Sequence, residues 1–148
     1  MSEIKTVLIE YVGPYAPFYA SEEASGADLR ANIEEDELLL KPYQRVLVST
    51  GVSIALPKGC EAQVRSRSGL AVKHGVVVLN GVGTVDSDYR GEIKVLLINL
   101  SEEAYRICKG ERIAQLVIAD VIRADYKAVE VLDVSSRGHG GFGSTGAH

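Results

Sequence analysis

The residues best suited to chemistry stand in short polar runs between apolar ones. Asp86-Ser87-Asp88 places two carboxylates close together, followed by Tyr89 and Arg90. A carboxylate within hydrogen-bond reach of a water can orient it and accept its proton. Standing alone, such a tripeptide is more often a polar turn. Arg67-Ser68-Gly69-Leu70-Ala71-Val72-Lys73-His74 follows a strand-like stretch, Glu61 to Ser66, and suits one or two helical turns capped by Ser66 or Ser68. An anion can rest on the free N–H groups of such a turn; a plain connecting helix fits these residues equally well. A serine nucleophile needs an adjacent base, and the three histidines, His74, His139 and His148, form no recognisable arrangement with one. Cys60 and Cys108 are far apart, with no second Cys or His at metal-ligand spacing, so two small thiols are expected rather than a zinc or redox site.

Bulk properties narrow the setting. A chain of 148 residues, 46% hydrophobic and 24% charged, suits one globular domain with a real core. No apolar run reaches the roughly 20 residues of a membrane helix, so no membrane partner is expected. The N-terminus lacks the basic start and apolar stretch of a secretory signal, and the expected location is the cytoplasm. Charge is uneven: residues 1–40 carry nine acids and two bases, residues 41–148 eleven acids and fourteen bases. Without a long basic stripe, nucleic acid is not an expected partner. A small anion held by a few arginines is compatible.

The elements that must position these residues are strands. Ile4 to Val12, Arg45 to Ile54, Gly75 to Asn80, Ile93 to Leu100 and Arg112 to Arg123 are rich in Val, Ile, Leu and Tyr, without sustained 3.6-residue periodicity. Gly51, Pro57-Lys58-Gly59, Asn80-Gly81, Asp86-Ser87-Asp88 and Lys109-Gly110 break the chain every ten residues or so. That pattern predicts an all-β sandwich or barrel of antiparallel strands with one short helix.

At Ser135 the composition changes. The last fourteen residues contain five Gly, three Ser and one Thr, too little apolar surface to fold alone. The expected division is a β-domain over 1–134 and a flexible arm over 135–148. Gly138-His139-Gly140-Gly141-Phe142-Gly143 matches the dinucleotide fingerprint by letter, but no βαβ unit follows it.

Five clusters occur in order: Ala24-Ser25-Gly26-Ala27-Asp28-Leu29-Arg30-Ala31, Arg67-Ser68-Gly69-Leu70-Ala71, the run from Asn80 through Asp86 and Tyr89 to Glu92, Lys109-Gly110-Glu111-Arg112-Ile113-Ala114-Gln115-Leu116, and Arg137 to Gly146. This series resembles the five motifs of the trimeric dUTP pyrophosphatase (dUTPase) family, over nearly the whole chain. The resemblance implies a jelly-roll-like subunit, a homotrimer whose active sites are shared between subunits, Mg²⁺, and cleavage of dUTP between the α- and β-phosphates.

By that resemblance, Asp86 on a rigid hairpin orients the attacking water, and Ser68 bonds the α–β bridging oxygen. Arg67 and Gly69 contact phosphate, the first with planar permanent charge, the second by letting backbone N–H groups approach. Asn80 reads uracil, whose imide edge matches an amide that donates and accepts at once. Tyr89 packs on the deoxyribose and leaves no room for a 2′-hydroxyl. Gln115 binds phosphate, and Asp28 sits near Mg²⁺ through water. In the arm, Arg137 clamps the γ-phosphate, Phe142 stacks on uracil, and Ser144 and Thr145 bond phosphate oxygens. Gly143 and its neighbouring glycines let the arm close and exclude water.

Some positions depart from the commoner pattern: Ser66 replaces a Pro, and Gly81-Val82 a Ser-Pro. Two rivals remain. The related dCTP deaminases carry a proton-transferring glutamate where this chain has Leu96, which cannot move protons. A non-catalytic protein that kept a nucleotide site would be told apart by its failure to release pyrophosphate.

Overall fold

A computed structural model describes residues 3–147; Met1, Ser2 and His148, the last residue of the expected arm, lie outside it. The strands are β1 (Glu10–Val12), β2 (Ala27–Arg30), β3 (Glu37–Leu40), β4 (Arg45–Ala55), β5 (Cys60–Arg65), β6 (Val76–Val78), β7 (Gly83–Val85), β8 (Ile93–Asn99), β9 (Tyr105–Cys108) and β10 (Arg112–Asp120). One helix, α1 (Ser68–His74), interrupts them. They pair antiparallel in three sheets ordered β1-β4-β8-β6, β2-β10-β5-β7 and β3-β9. The fold is all-β and jelly-roll-like.

Strand alternation builds the core. In β8, Ile93, Val95 and Leu97 point inward while Lys94, Leu96 and Ile98 do not. With Val48, Val52 and Ile54 of β4, Leu29 of β2, Val64 of β5, Leu40 of β3, Ile107 of β9 and Leu116 of β10, they form one cluster drawn from all three sheets. A fully buried Leu97 or Ile107 contributes about 1.5–3 kcal/mol by leaving water. Asn99 is the polar exception, and it is satisfied. Its amide donates to the carbonyls of Leu40 (3.1 Å) and Glu103 (2.7 Å) and accepts from Ser101 N and Oγ. It thereby closes the end of β8.

Four details differ from the sequence expectation. Only Glu10–Val12 of the Ile4 to Val12 run is strand, because only those residues find a partner, in β4. β10 ends at Asp120, and residues 121–147 form no strand or helix and are almost wholly exposed. The run from Asn80 to Glu92 is not a hairpin: β7 pairs with β5 while β8 joins β4 and β6, so residues 86–92 cross between sheets. Finally, α1 has no side-chain cap. Arg67 occupies the cap position, and Ser66 Oγ instead accepts from Val78 N at 2.8 Å, tying the helix entry to β6.

Candidate active site

The chemistry-bearing residues fall into two groups on the β-body and a third on the arm. The first lines an open cleft of about 470 Å³ walled by Val64, Gly83, Thr84, Val85 and Ile93, with Leu47 at its edge. Asn80, Asp86 and Tyr89 all line it, as do Glu92 and Lys94. Asp86 follows β7 directly, so its position is fixed by pairing of that strand with β5. Its carbonyl accepts from Tyr89 N at 3.1 Å, closing a turn. Among the described residues its carboxylate makes no hydrogen bond or ion pair, leaving it free for a water. Tyr89 is 46% exposed, and its hydroxyl donates to the Glu92 carbonyl at 2.9 Å.

The second group sits where β2, β10 and β5 lie side by side. Register places Gln115 opposite Asp28 on one flank and Arg65 on the other. The chain then leaves β5 and enters α1 through Ser66, Arg67 and Ser68. Asp28 is only 8% exposed, and each of its oxygens has a cationic partner: Arg67 Nε at 3.4 Å and Arg112 Nη1 at 3.2 Å. Arg67 is further held by donating Nη1 to the Arg112 carbonyl at 3.0 Å. Two guanidiniums against one carboxylate leave a local excess of positive charge, matched to an anion. Gln115 donates Nε2 to the Ser66 carbonyl at 2.9 Å. Gly26 leaves space for this amide, since a Cβ on it would lie 2.2 Å from Gln115 Oε1 and push the Gln115 side chain aside. Ser68 and Gly69 are exposed at the start of α1, and nothing lies within 4 Å of where a Gly69 Cβ would be.

Arg67, Ser68, Gln115 and Asp28 do not line the cleft that holds Asp86. In this chain the two groups do not share a pocket. Asp28, expected beside hydrated Mg²⁺, is engaged with arginines. No group of three or more His, Cys, Asp or Glu suited to a metal ion occurs among the described residues.

Hydrogen bonds of the described arm residues stay within residues 135–146, and none of these residues lines the Asp86 cleft. Arg137 Nε donates to the Gly140 carbonyl at 2.8 Å, Ser144 N to the Gly141 carbonyl at 3.0 Å, and Phe142 is fully exposed. Gly143 has φ +85°, a left-handed conformation that glycine adopts freely. Thr145 is exposed. Arg112, Glu92 and Lys94 received no role from the sequence. The first two belong to the motif runs, but only register and turn geometry reveal what they touch.

The dUTPase family model matches residues 15–146. The deoxyuridine 5'-triphosphate nucleotidohydrolase of Treponema denticola is 57% identical over 144 residues, covering 97% of this chain and 98% of that protein. The Fusobacterium nucleatum enzyme of the same name is 49% identical over 146 residues, covering 99% of each. The dUTPase of Staphylococcus bacteriophage 80alpha, solved with dUpNHpp, superposes with a TM-score of 0.85 at 28% identity, covering 96% of this chain and 100% of that one. Strand architecture, the spacing of the five motifs and near full-length likeness agree: the chain belongs to the dUTPase family.

Proposed function

We propose that this protein hydrolyses dUTP to dUMP and pyrophosphate, limiting uracil incorporation into DNA and supplying dUMP for thymidylate synthesis. The carrying observation is the convergence of Asn80, Asp86 and Tyr89 on one cleft, with a separate arginine-rich group on the same fold. In this reading Asn80 pairs with the imide edge of uracil, and Tyr89 presents its ring to the deoxyribose. Asp86 orients a water toward the α-phosphorus and receives its proton as the new P–O bond forms. The bond to the α–β bridging oxygen breaks, and Ser68 donates to that oxygen as charge gathers on departing pyrophosphate. Arg67, the backbone around Gly69 and Gln115 hold the phosphate chain.

Mg²⁺ fits this site as an ion carried by the substrate, since phosphate oxygens and water can supply its octahedron without a protein cage. When bound, it would neutralise phosphate charge. Asp28, with each oxygen paired to an arginine, would meet the ion through a metal-bound water rather than ligate it directly.

Two observations support a homotrimer with shared sites. Arg67, Ser68 and Gln115 do not line the cleft that holds Asp86, so one copy would supply Asp86 and another Ser68. The segment after β10 also presents Ile122 (96% exposed), Tyr126, Leu132 and Val134 (98% exposed) to solvent. So much contiguous apolar chain calls for a neighbour. The arm, with Arg137, Phe142, Gly143, Ser144 and Thr145, would close over the nucleotide. A cytoplasmic enzyme suits this role, and no helix among the described residues is long and apolar enough to cross a membrane.

The direct test is pyrophosphate release from dUTP by purified protein, with and without Mg²⁺. Turnover that depends on Mg²⁺ and spares dCTP and UTP is expected. An inert protein, or conversion of dCTP, would remove this reading.

A further inference from the structure

The link from Asp86 to Gly91 carries the water-orienting carboxylate and the sugar-facing ring and spans two sheets; within it Tyr89 N donates to the Asp86 carbonyl and Arg90 Nη1 to the carbonyls of Ser87 and Tyr89. Its far end is fastened by Glu92. The Glu92 carboxylate accepts from Gly51 N at 2.7 Å and from Ser49 Oγ. Both donors lie where the β4–β8 register slips, between Ser49 and Val52. At the slip the Gly51 N–H turns out of the ladder and converges with the Ser49 hydroxyl on one Glu92 oxygen. The Glu92 carbonyl, meanwhile, accepts the Tyr89 hydroxyl. Between them, Gly91 lets the ring fold back, since a Cβ there would lie 2.4 Å from Tyr89 Oη. Glu92 thus touches β4 with its side chain and Tyr89 with its backbone, and it lines the same cleft.

We infer that Glu92 is a positioning residue for sugar discrimination: its carboxylate clamps the turn to the β4 bulge, and its carbonyl fixes the tilt of the Tyr89 ring. The inference rests on the reading of Tyr89 as the group that excludes a 2′-hydroxyl. Without the clamp the turn drifts, the ring loses its fixed distance from the sugar, and a ribonucleotide is admitted. A glutamate needed only for folding would, when removed, depress activity on both sugars alike. One acting through Tyr89 changes their ratio.

The experiment measures kcat/KM of the full chain for dUTP and UTP in wild type, Glu92→Ala, Glu92→Gln, Ser49→Ala and Tyr89→Ala. Glu92→Ala should lower dUTP-over-UTP selectivity about tenfold, the size of a lost hydrogen bond to a charged group. Glu92→Gln, whose amide oxygen accepts the same two bonds, should stay within about threefold of wild type. Ser49→Ala, which removes one donor, should shift selectivity in the same direction by less, and it serves if Glu92→Ala does not fold. Wild-type selectivity in Glu92→Ala or, failing that, in Ser49→Ala, beside a loss in Tyr89→Ala, overturns the inference alone. So does an equal fall for both substrates. Unchanged selectivity in Tyr89→Ala overturns it together with the Tyr89 reading, whereas wild-type protein inert toward dUTP overturns the proposed activity itself.

Discussion

Replacing Asp86 with Asn separates chemistry from folding cleanly. Asp86 is exposed, follows β7, and contributes only its backbone carbonyl to the turn that Tyr89 N closes. Asn has the same shape and keeps that bond, so stability should change by less than about 0.5 kcal/mol. In the proposed mechanism the carboxylate itself is what the reaction needs, to hold the water's proton as the P–O bond forms. Loss of a positioned base lowers rate by about 10²–10⁴, and a thousandfold fall corresponds to about 4 kcal/mol of transition-state stabilisation. Because that mechanism assigns uracil, sugar and phosphates to other residues, binding of a non-hydrolysable dUTP analogue should be unchanged. Pyrophosphate release gives kcat, calorimetric titration gives affinity, and a thermal scan gives Tm. A kcat within tenfold of wild type would refute the role, and a large drop in Tm would show that the effect is structural.

Deleting residues 135–148 should abolish most dUTP turnover while leaving Tm and assembly size unchanged, read by scanning calorimetry and light scattering, because the described arm residues are almost wholly exposed and hydrogen-bond only among themselves. The chain contains no Trp, so Phe142→Trp places a single indole on the arm, and its emission should shift when a uracil nucleotide binds; constant emission would remove the stacking role. The bond from Ser49, with the Gly51 N–H and the Lys94 charge, holds the Glu92 carboxyl below its usual range despite partial burial. The sign follows: the clamp's stabilisation is complete above the ordinary glutamate value near 4.5 and is lost as pH falls through the lower folded value. Urea midpoints measured from pH 6 to 3 should therefore fall less steeply in Glu92→Gln than in wild type.

How much of this was legible in the sequence depends on range. β4, β8 and β10 announce themselves by alternating Val, Ile and Leu, because a half-buried strand must alternate. β2, β3 and β9 are four residues each, too short for a period, and exist because β10 and each other offer partners. Asp28 was named only through the family motif, and its place in β2 opposite Gln115 is set by pairing with β10. Asn80, Asp86 and Tyr89 were legible as one group because they are close in sequence. The contacts of Asp28 with Arg67 and Arg112 were not, since they span 39 and 84 positions and depend on register. The same limit hid Glu92, whose partner Ser49 lies 43 residues away. Ser66 and Ser68 looked like helix caps, but Ser66 is spent on Val78 N, a bond no local rule anticipates.

The central claim, that Asp86 and Ser68 meet only across copies of the chain, is tested most directly by mixing two inactive variants. Asp86→Asn and Ser68→Ala chains, co-refolded in equal amounts, should regain about a quarter of wild-type activity if each site in a closed three-membered ring takes the two residues from different, randomly assorted subunits. A mixture no more active than the two variants measured separately would contradict it.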